Sequence, residues 1–156
     1  MNEAKQYKKF EAGAAGSMET TPVDYTKFLE HILALESQNS PITQLLFSPN
    51  IVINSKKQFG PESLETTTEN ERIGLNYGMA WGLITKTPYG KGVFKEGHSE
   101  GFQHYSILYP EHHLGVLLIS NSDNAESIFK ELLKITIGDI YTPWEWESYI
   151  PFNEGN

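Results

Sequence analysis

His98 stands between two carboxylates in the stretch Glu96-Gly97-His98-Ser99-Glu100-Gly101. A histidine beside carboxylates has the groups that general acid–base chemistry needs. Nothing in the spacing fixes their separation, however, and solvent exposure is the ordinary state of glutamates. Taken alone, His98 reads as a buried or loop histidine rather than a catalytic one. A metal site would have to be assembled from His98, His104, His112 and His113. His112 and His113 fall in an expected hairpin turn away from His98, and no carboxylate has ligand spacing. A solvated turn is therefore the reading, and no metal is expected. Trp144-Glu145-Trp146, with Tyr141 and Tyr149, has the composition of a sugar-stacking platform. The plainer reading is that these rings cover a core. The chain has no cysteine, which removes disulfides, thiolate metal sites and cysteine nucleophiles together.

The hydrophobic pattern indicates the elements that must hold these residues. Thr20 or Thr21 can cap a helix that has Pro22 at its first position and Asp24 in its first turn. Tyr25, Phe28, Leu29, Ile32, Leu33 and Glu36 then follow the helical period. All but Glu36 are apolar, so this helix lays one face on a core. Residues 41–47 suit a short helix after a Ser40 cap, Ile51-Val52-Ile53 a short extended piece, and residues 60–72 an exposed polar loop. Residues 77–85 read as one strand, with Met79, Trp81 and Leu83 on one side and Gly78, Ala80 and Gly82 on the other. Small residues on one face imply that something packs closely there. A turn at 87–90 leads to a short strand near Val93-Phe94. A strand over 104–109 and the apolar run 114–120 form a hairpin, and the second of these has the composition of a central, fully buried strand. Residues 121–124 offer caps for a second helix. Its inward stripe is Ile128, Phe129, Leu132, Leu133 and Thr136, and Gly138 ends it. The order is helix, irregular segment, three or four antiparallel strands, helix: an α+β chain. Residues 1–9 read as a flexible segment, 10–140 as the folded unit and 141–156 as an aromatic tail lying against it.

A chain of 156 residues suits one domain and can bury a core. Twelve Lys+Arg against 20 Asp+Glu give a net charge of −8. That balance argues against nucleic acid, which needs clustered cations, and against docking on anionic membranes. Lys8-Lys9 and Lys56-Lys57 are too sparse to reverse the argument. No apolar run approaches the roughly 18–20 residues that span a bilayer. Residues 1–11 are polar and Lys-rich without an apolar h-region, so no signal peptide is read and the chain as written is expected to be cytoplasmic.

Three pieces, in order, resemble the C-terminal half of the serine β-lactamase-like hydrolases: class C β-lactamases, penicillin-binding proteins, D-aminopeptidases and related esterases. Ala14-Ala15-Gly16-Ser17-Met18-Glu19-Thr20-Thr21-Pro22-Val23-Asp24-Tyr25 resembles that family's small-residue turn and helix start. Tyr77-Gly78-Met79-Ala80-Trp81-Gly82-Leu83 resembles its Tyr-Gly-x-Gly-Trp strand. Gly97-His98-Ser99-Glu100-Gly101-Phe102, Tyr109-Pro110-Glu111 and Gly115-Val116-Leu117-Leu118-Ile119-Ser120-Asn121 resemble its Gly-His-x-Gly…Gly-Phe…Pro-Glu…Gly-Val stretch. The resemblance covers residues 10 to about 138. It implies an antiparallel sheet flanked by an N-terminal and a C-terminal helix, as in the C-terminal half of the β-lactamase/transpeptidase-like fold.

In that family a Ser-x-x-Lys helix start supplies the nucleophile and its base, a Tyr-x-Asn loop positions the proton transfer, and a His-x-Gly strand binds substrate. By resemblance His98 and Ser99 form the third element, and Gly101 offers its backbone N–H to an oxyanion. Glu100 stands where the family has glycine, and the segment up to Gly101-Phe102 is shorter. Ser127-Ile128-Phe129-Lys130 and Ser122-Asp123-Asn124 spell nucleophile motifs, but both follow His98 and read as caps of the last helix. No catalytic set is complete in this chain. The resemblance implies a small acyl substrate for the intact family and no metal or organic cofactor; the charge balance argues against a nucleic-acid or membrane partner. It further implies an uncovered sheet that self-associates or takes a complementary N-terminal piece. Family members are often periplasmic or secreted. The reading from a different class is a non-catalytic interaction module.

Overall fold

A computed structural model describes Gly16, residues 18–36, Gln38 and residues 40–149. The flexible segment expected at 1–9, most of the small-residue turn before the first helix and the end of the aromatic tail lie outside the described residues.

Helix α1 (Pro22–Glu36) begins with a reciprocal cap. The Asp24 N–H donates to Thr21 Oγ1 at 3.1 Å, and the Thr21 hydroxyl donates to Asp24 Oδ2 at 2.9 Å. This occupies an amide that the first turn leaves without a helical partner. Helix α2 (Pro41–Leu46) starts at Ser40, whose Oγ accepts the Thr43 N–H at 3.2 Å. The polar loop that follows is tightened by two 3-10 turns, Pro61–Leu64 and Glu69–Arg72.

Six strands form one antiparallel sheet whose spatial order is its sequence order: β1 (Ile51–Val52), β2 (Leu75–Tyr77), β3 (Gly82–Thr87), β4 (Gly90–Ser99), β5 (Phe102–Tyr109) and β6 (Leu114–Ser120). One face carries α1 and α2 over Trp81, Leu83, Val93 and Leu108. The other carries α3 (Glu126–Ile137) and the residues after it, over Leu75, Ile84, Phe94, Tyr105, Ile107 and Tyr109. The sheet is thus buried on both sides, and the α+β class holds.

Three strand readings are corrected. Residues 77–85 are not one strand: β2 ends at Tyr77 and β3 begins opposite it at Gly82, with the Gly78 N–H donating to the Trp81 carbonyl at 2.8 Å across the turn. Alternation survives only from Trp81 into β3: Trp81, just before the strand, and Leu83 within it face α1. Gly82 faces the other way under the Phe94 ring, where an added Cβ would lie 2.2 Å from Phe94 Cζ. The short strand near Val93-Phe94 is the middle of the ten-residue β4. The run 114–120 is not central. Among the described residues β6 pairs only with β5 and closes one edge of the sheet, none of its residues fully buried. An uninterrupted apolar run has the same composition whether its partner strand is present or not.

Asp139, fully buried just past α3, fixes the tail. Its carboxylate accepts from the Tyr109 hydroxyl at 3.1 Å, from the Tyr141 N–H at 2.9 Å and from the Thr142 hydroxyl. Trp144, Trp146 and Tyr149 then pack into the α3-side core, so residues 141–149 lie against the body as expected.

Candidate functional site at the end of the central hairpin

β4 and β5 reverse through two residues, Glu100 and Gly101, so that Ser99 lies opposite Phe102 and His98 opposite Gln103. Gly101 takes φ +85, open to glycine at no steric cost. Its N–H, the donor that resemblance assigns to an oxyanion, donates to Asp123 Oδ1 at 2.7 Å. Strand alternation places Glu96 and His98 on the α3 face and Gly97 and Ser99 on the α1 face. His98 and Gly101 therefore meet at one end of the hairpin, while Ser99 belongs to the opposite side. Glu100 is exposed at the tip.

The carboxylate beside His98 is neither of its sequence neighbours. Glu126, the first residue of α3, places Oε1 3.2 Å from His98 Nδ1, at ion-pair distance but without an aligned hydrogen bond. His98 is 62% exposed and Glu126 only 22%, so the pair has an open and a closed end. Burial raises the Glu126 carboxyl above the ordinary range; His98 opposes that and the Glu96 charge adds to it. Glu96 is held instead by Lys95, whose Nζ lies 3.8 Å from its Oε1.

Gln103 positions Glu126. Its Oε1 accepts the Glu126 N–H at 2.8 Å and its Nε2 donates to the Asp123 carbonyl at 2.7 Å. A buried side chain from β5 thereby caps α3. The caps expected at 121–124 are not used, because the N-cap residue is Ala125, with no side-chain hydrogen bond. The Ser-Asp-Asn and Ser-x-x-Lys spellings have other local duties: Asp123 holds the hairpin tip, Ser122 Oγ accepts the Asn124 N–H at 3.3 Å, and Ser127 Oγ donates to the Asn124 carbonyl at 2.7 Å. Nothing in the sequence pattern ties Gln103 or Glu126 to His98, since their partnership depends on how α3 meets β5.

Behind the pair lies Glu147, 7% exposed, with neither carboxyl oxygen hydrogen-bonded among the described residues. Burial pushes it well above the ordinary carboxylate range, and the Glu96 and Glu126 charges push the same way. The Tyr105 and Tyr149 hydroxyls are likewise buried without a partner. Among the described residues no serine or threonine hydroxyl hydrogen-bonds His98. The corner can orient a polar group and exchange a proton through His98 and Glu126, but it has no attacking oxygen in place.

The remaining candidates are dispersed. His104 lies on the α1 face beneath Gly97, with its ring 5.6 Å from that of Tyr25, and burial lowers its pKa. His112 and His113 occupy the β5–β6 turn, at the far end of β5 from His98. Trp144 and Trp146 are only 4% and 5% exposed, so the sugar-platform reading fails: neither ring face is open to a ligand. Among the described residues no helix is long and apolar enough to cross a membrane. Comparison with protein-family models, with curated proteins and with solved structures finds no match.

Proposed function

We propose that this chain is the C-terminal portion of a serine β-lactamase-like hydrolase. It carries the His98 wall of an acyl-transfer site whose nucleophilic serine and lysine belong to other polypeptide. The observation that supports this reading is β6. The strand Leu-Gly-Val-Leu-Leu-Ile-Ser has the composition of an internal strand, yet among the described residues it stands at an edge, without a charge, proline or bulge to block pairing. A sheet built this way is suited to a further strand, and the resemblance names its source. His98 lies at the open end of the hairpin, where a substrate can reach it. The Gly101 N–H can serve an oxyanion only after Asp123 releases it. The substrate class is a β-lactam, a D-amino-acid peptide or a small ester, and the chain alone performs no acyl transfer.

Complementation tests this. The chain is co-expressed with the N-terminal segment of a class C-type hydrolase bearing Ser-x-x-Lys and Tyr-x-Asn, then exposed to nitrocefin, p-nitrophenyl esters and a fluorescent penicillin. The expected result is a one-to-one complex labelled on the added serine, with labelling reduced at least tenfold by His98→Ala and absent from the chain alone. Labelling of the isolated chain that vanishes in Ser127→Ala would overturn the reading. So would a complex indifferent to His98→Ala.

The same edge favours one other reading, a self-association module. An antiparallel two-fold through Leu117 would set Leu117 against its own copy, Val116 against Leu118 and Gly115 against Ile119, leaving polar Ser120 only at the ends, opposite Leu114. Sedimentation separates the two readings. A dimer that persists when the complementary segment is supplied supports the module, and its displacement supports the hydrolase.

A further inference from the structure

A cleft of about 500 Å³ lies on the α3 side of the sheet, between the polar loop, α3 and the tail. None of His98, Ser99 and Gly101 lines it. Its size falls within the range of small-molecule sites. Its charge runs against that of the whole molecule. Lys56, Lys57, Arg72 and Lys130 line it against only Glu69 and Glu145, in a chain whose net charge is −8. Lys56 is neutralised by Glu62 and Glu65. None of the other three cations makes an ion pair among the described residues: Lys57 Nζ donates to the Glu145 backbone carbonyl at 2.7 Å and feels the Glu62 charge only at longer range, and Arg72 and Lys130 make no side-chain hydrogen bond. In an acidic protein cations readily find carboxylates, so three around one hollow without an ion pair are a distinct feature.

The floor is of another kind. Ile73 and Trp144 are buried there, with Tyr141 and Pro143 beside them. The walls are fixed in advance. Asn70 donates to the Ile53 and Ser55 carbonyls at 3.2 and 2.9 Å, and Trp146 Nε1 donates to Ser55 Oγ at 3.1 Å. The tail is held by Asp139. Little ordering cost therefore remains for a ligand to meet. We propose that this cleft binds a small organic anion, with its carboxylate or phosphate held by Arg72, Lys130 and Lys57 and its flat apolar body resting on Tyr141 and the exposed Ile140. Guanidinium and ammonium groups suit such anions, and Arg72 can meet two oxygens at once.

The test is a titration of the full ¹⁵N-labelled chain with phenyl phosphate, benzoate, inorganic phosphate and benzamide, followed by amide shifts and tryptophan fluorescence. Saturable shifts are expected at Arg72, Lys130 and Tyr141 with phenyl phosphate or benzoate; whichever binds tighter identifies the head group. Benzamide should bind at least tenfold more weakly, which isolates the charge, and inorganic phosphate likewise, which isolates the floor. The Arg72→Gln/Lys130→Gln double variant should lose at least tenfold in affinity while its amide spectrum elsewhere stays unchanged. Both substitutions are at solvent-accessible positions, so folding is not at stake. Benzamide or inorganic phosphate binding as tightly as the aromatic anions would overturn the proposal. Shifts spread over the surface without saturation, or a double variant that binds normally, would do the same.

Discussion

Glu147 is a carboxyl in a place that disfavours charge. Its folded pKa is raised, first by burial and then by the negative charge of Glu96. A raised carboxyl pKa means that the fold prefers the protonated form. Its stabilising effect is complete below the unfolded value near 4.5 and is lost as pH rises towards the folded value. Glu147→Gln keeps the shape and removes the titration. Calorimetry should show the variant melting at least about 2 °C above the parent at pH 8, the shift that ~1 kcal/mol produces in a domain of this size. The gap should close near pH 4, and a variant no more stable at pH 8 would count against a charge-averse site. Gln103 presents the converse case, a neutral buried group with both ends occupied. Gln103→Leu strands the Glu126 N–H and the Asp123 carbonyl, at a cost of roughly 1–3 kcal/mol. A urea midpoint unchanged from the parent would refute that account. Neither residue announces itself in the sequence. His98 is conspicuous between two glutamates, but its partner Glu126 lies on another element.

At the level of elements, local rules worked where the partners are local. The Thr21–Asp24 and Ser40–Thr43 caps were legible because each spans three residues. The break after Tyr77 was not, because the alternation of Met79, Trp81 and Leu83 looks the same with a turn inserted. Two glycines show the difference between local and tertiary demands. A Cβ at Gly101 meets nothing within 4 Å, so Gly101→Ala costs only the left-handed backbone, roughly 1 kcal/mol. A Cβ at Gly82 meets the Phe94 ring, which is itself buried and has no room to retreat. Gly82→Ala should cost roughly 2–3 kcal/mol through overpacking. Denaturant titration of both variants checks the order, and Gly101→Ala as the more damaging change would show that the ring yields.

For the molecule as a whole, the sheet has a two-residue strand, Ile51–Val52, at one end and an apolar seven-residue strand at the other. The apolar composition of 114–120 was plain from the sequence; its place at an edge was not, because that depends on which strands exist to flank it. Ile119, 45% exposed on β6, is the natural position for a blocking charge. Ile119→Lys should shift sedimentation towards the monomer at concentrations where the parent associates, with the melting temperature within about 2 °C, as for surface changes of ±0.5 kcal/mol. A parent that is monomeric throughout would remove the edge from any account of partners.

The cap on α3 also orders events in time. A twelve-residue helix is marginal on its own, and this one borrows its first acceptor from a strand twenty-three positions earlier. During synthesis β5 leaves the ribosome before α3, so the borrowed acceptor can already be in place when the helix emerges. An excised α3 peptide should remain a coil in water, and conditions that melt the central hairpin should unwind the helix with it.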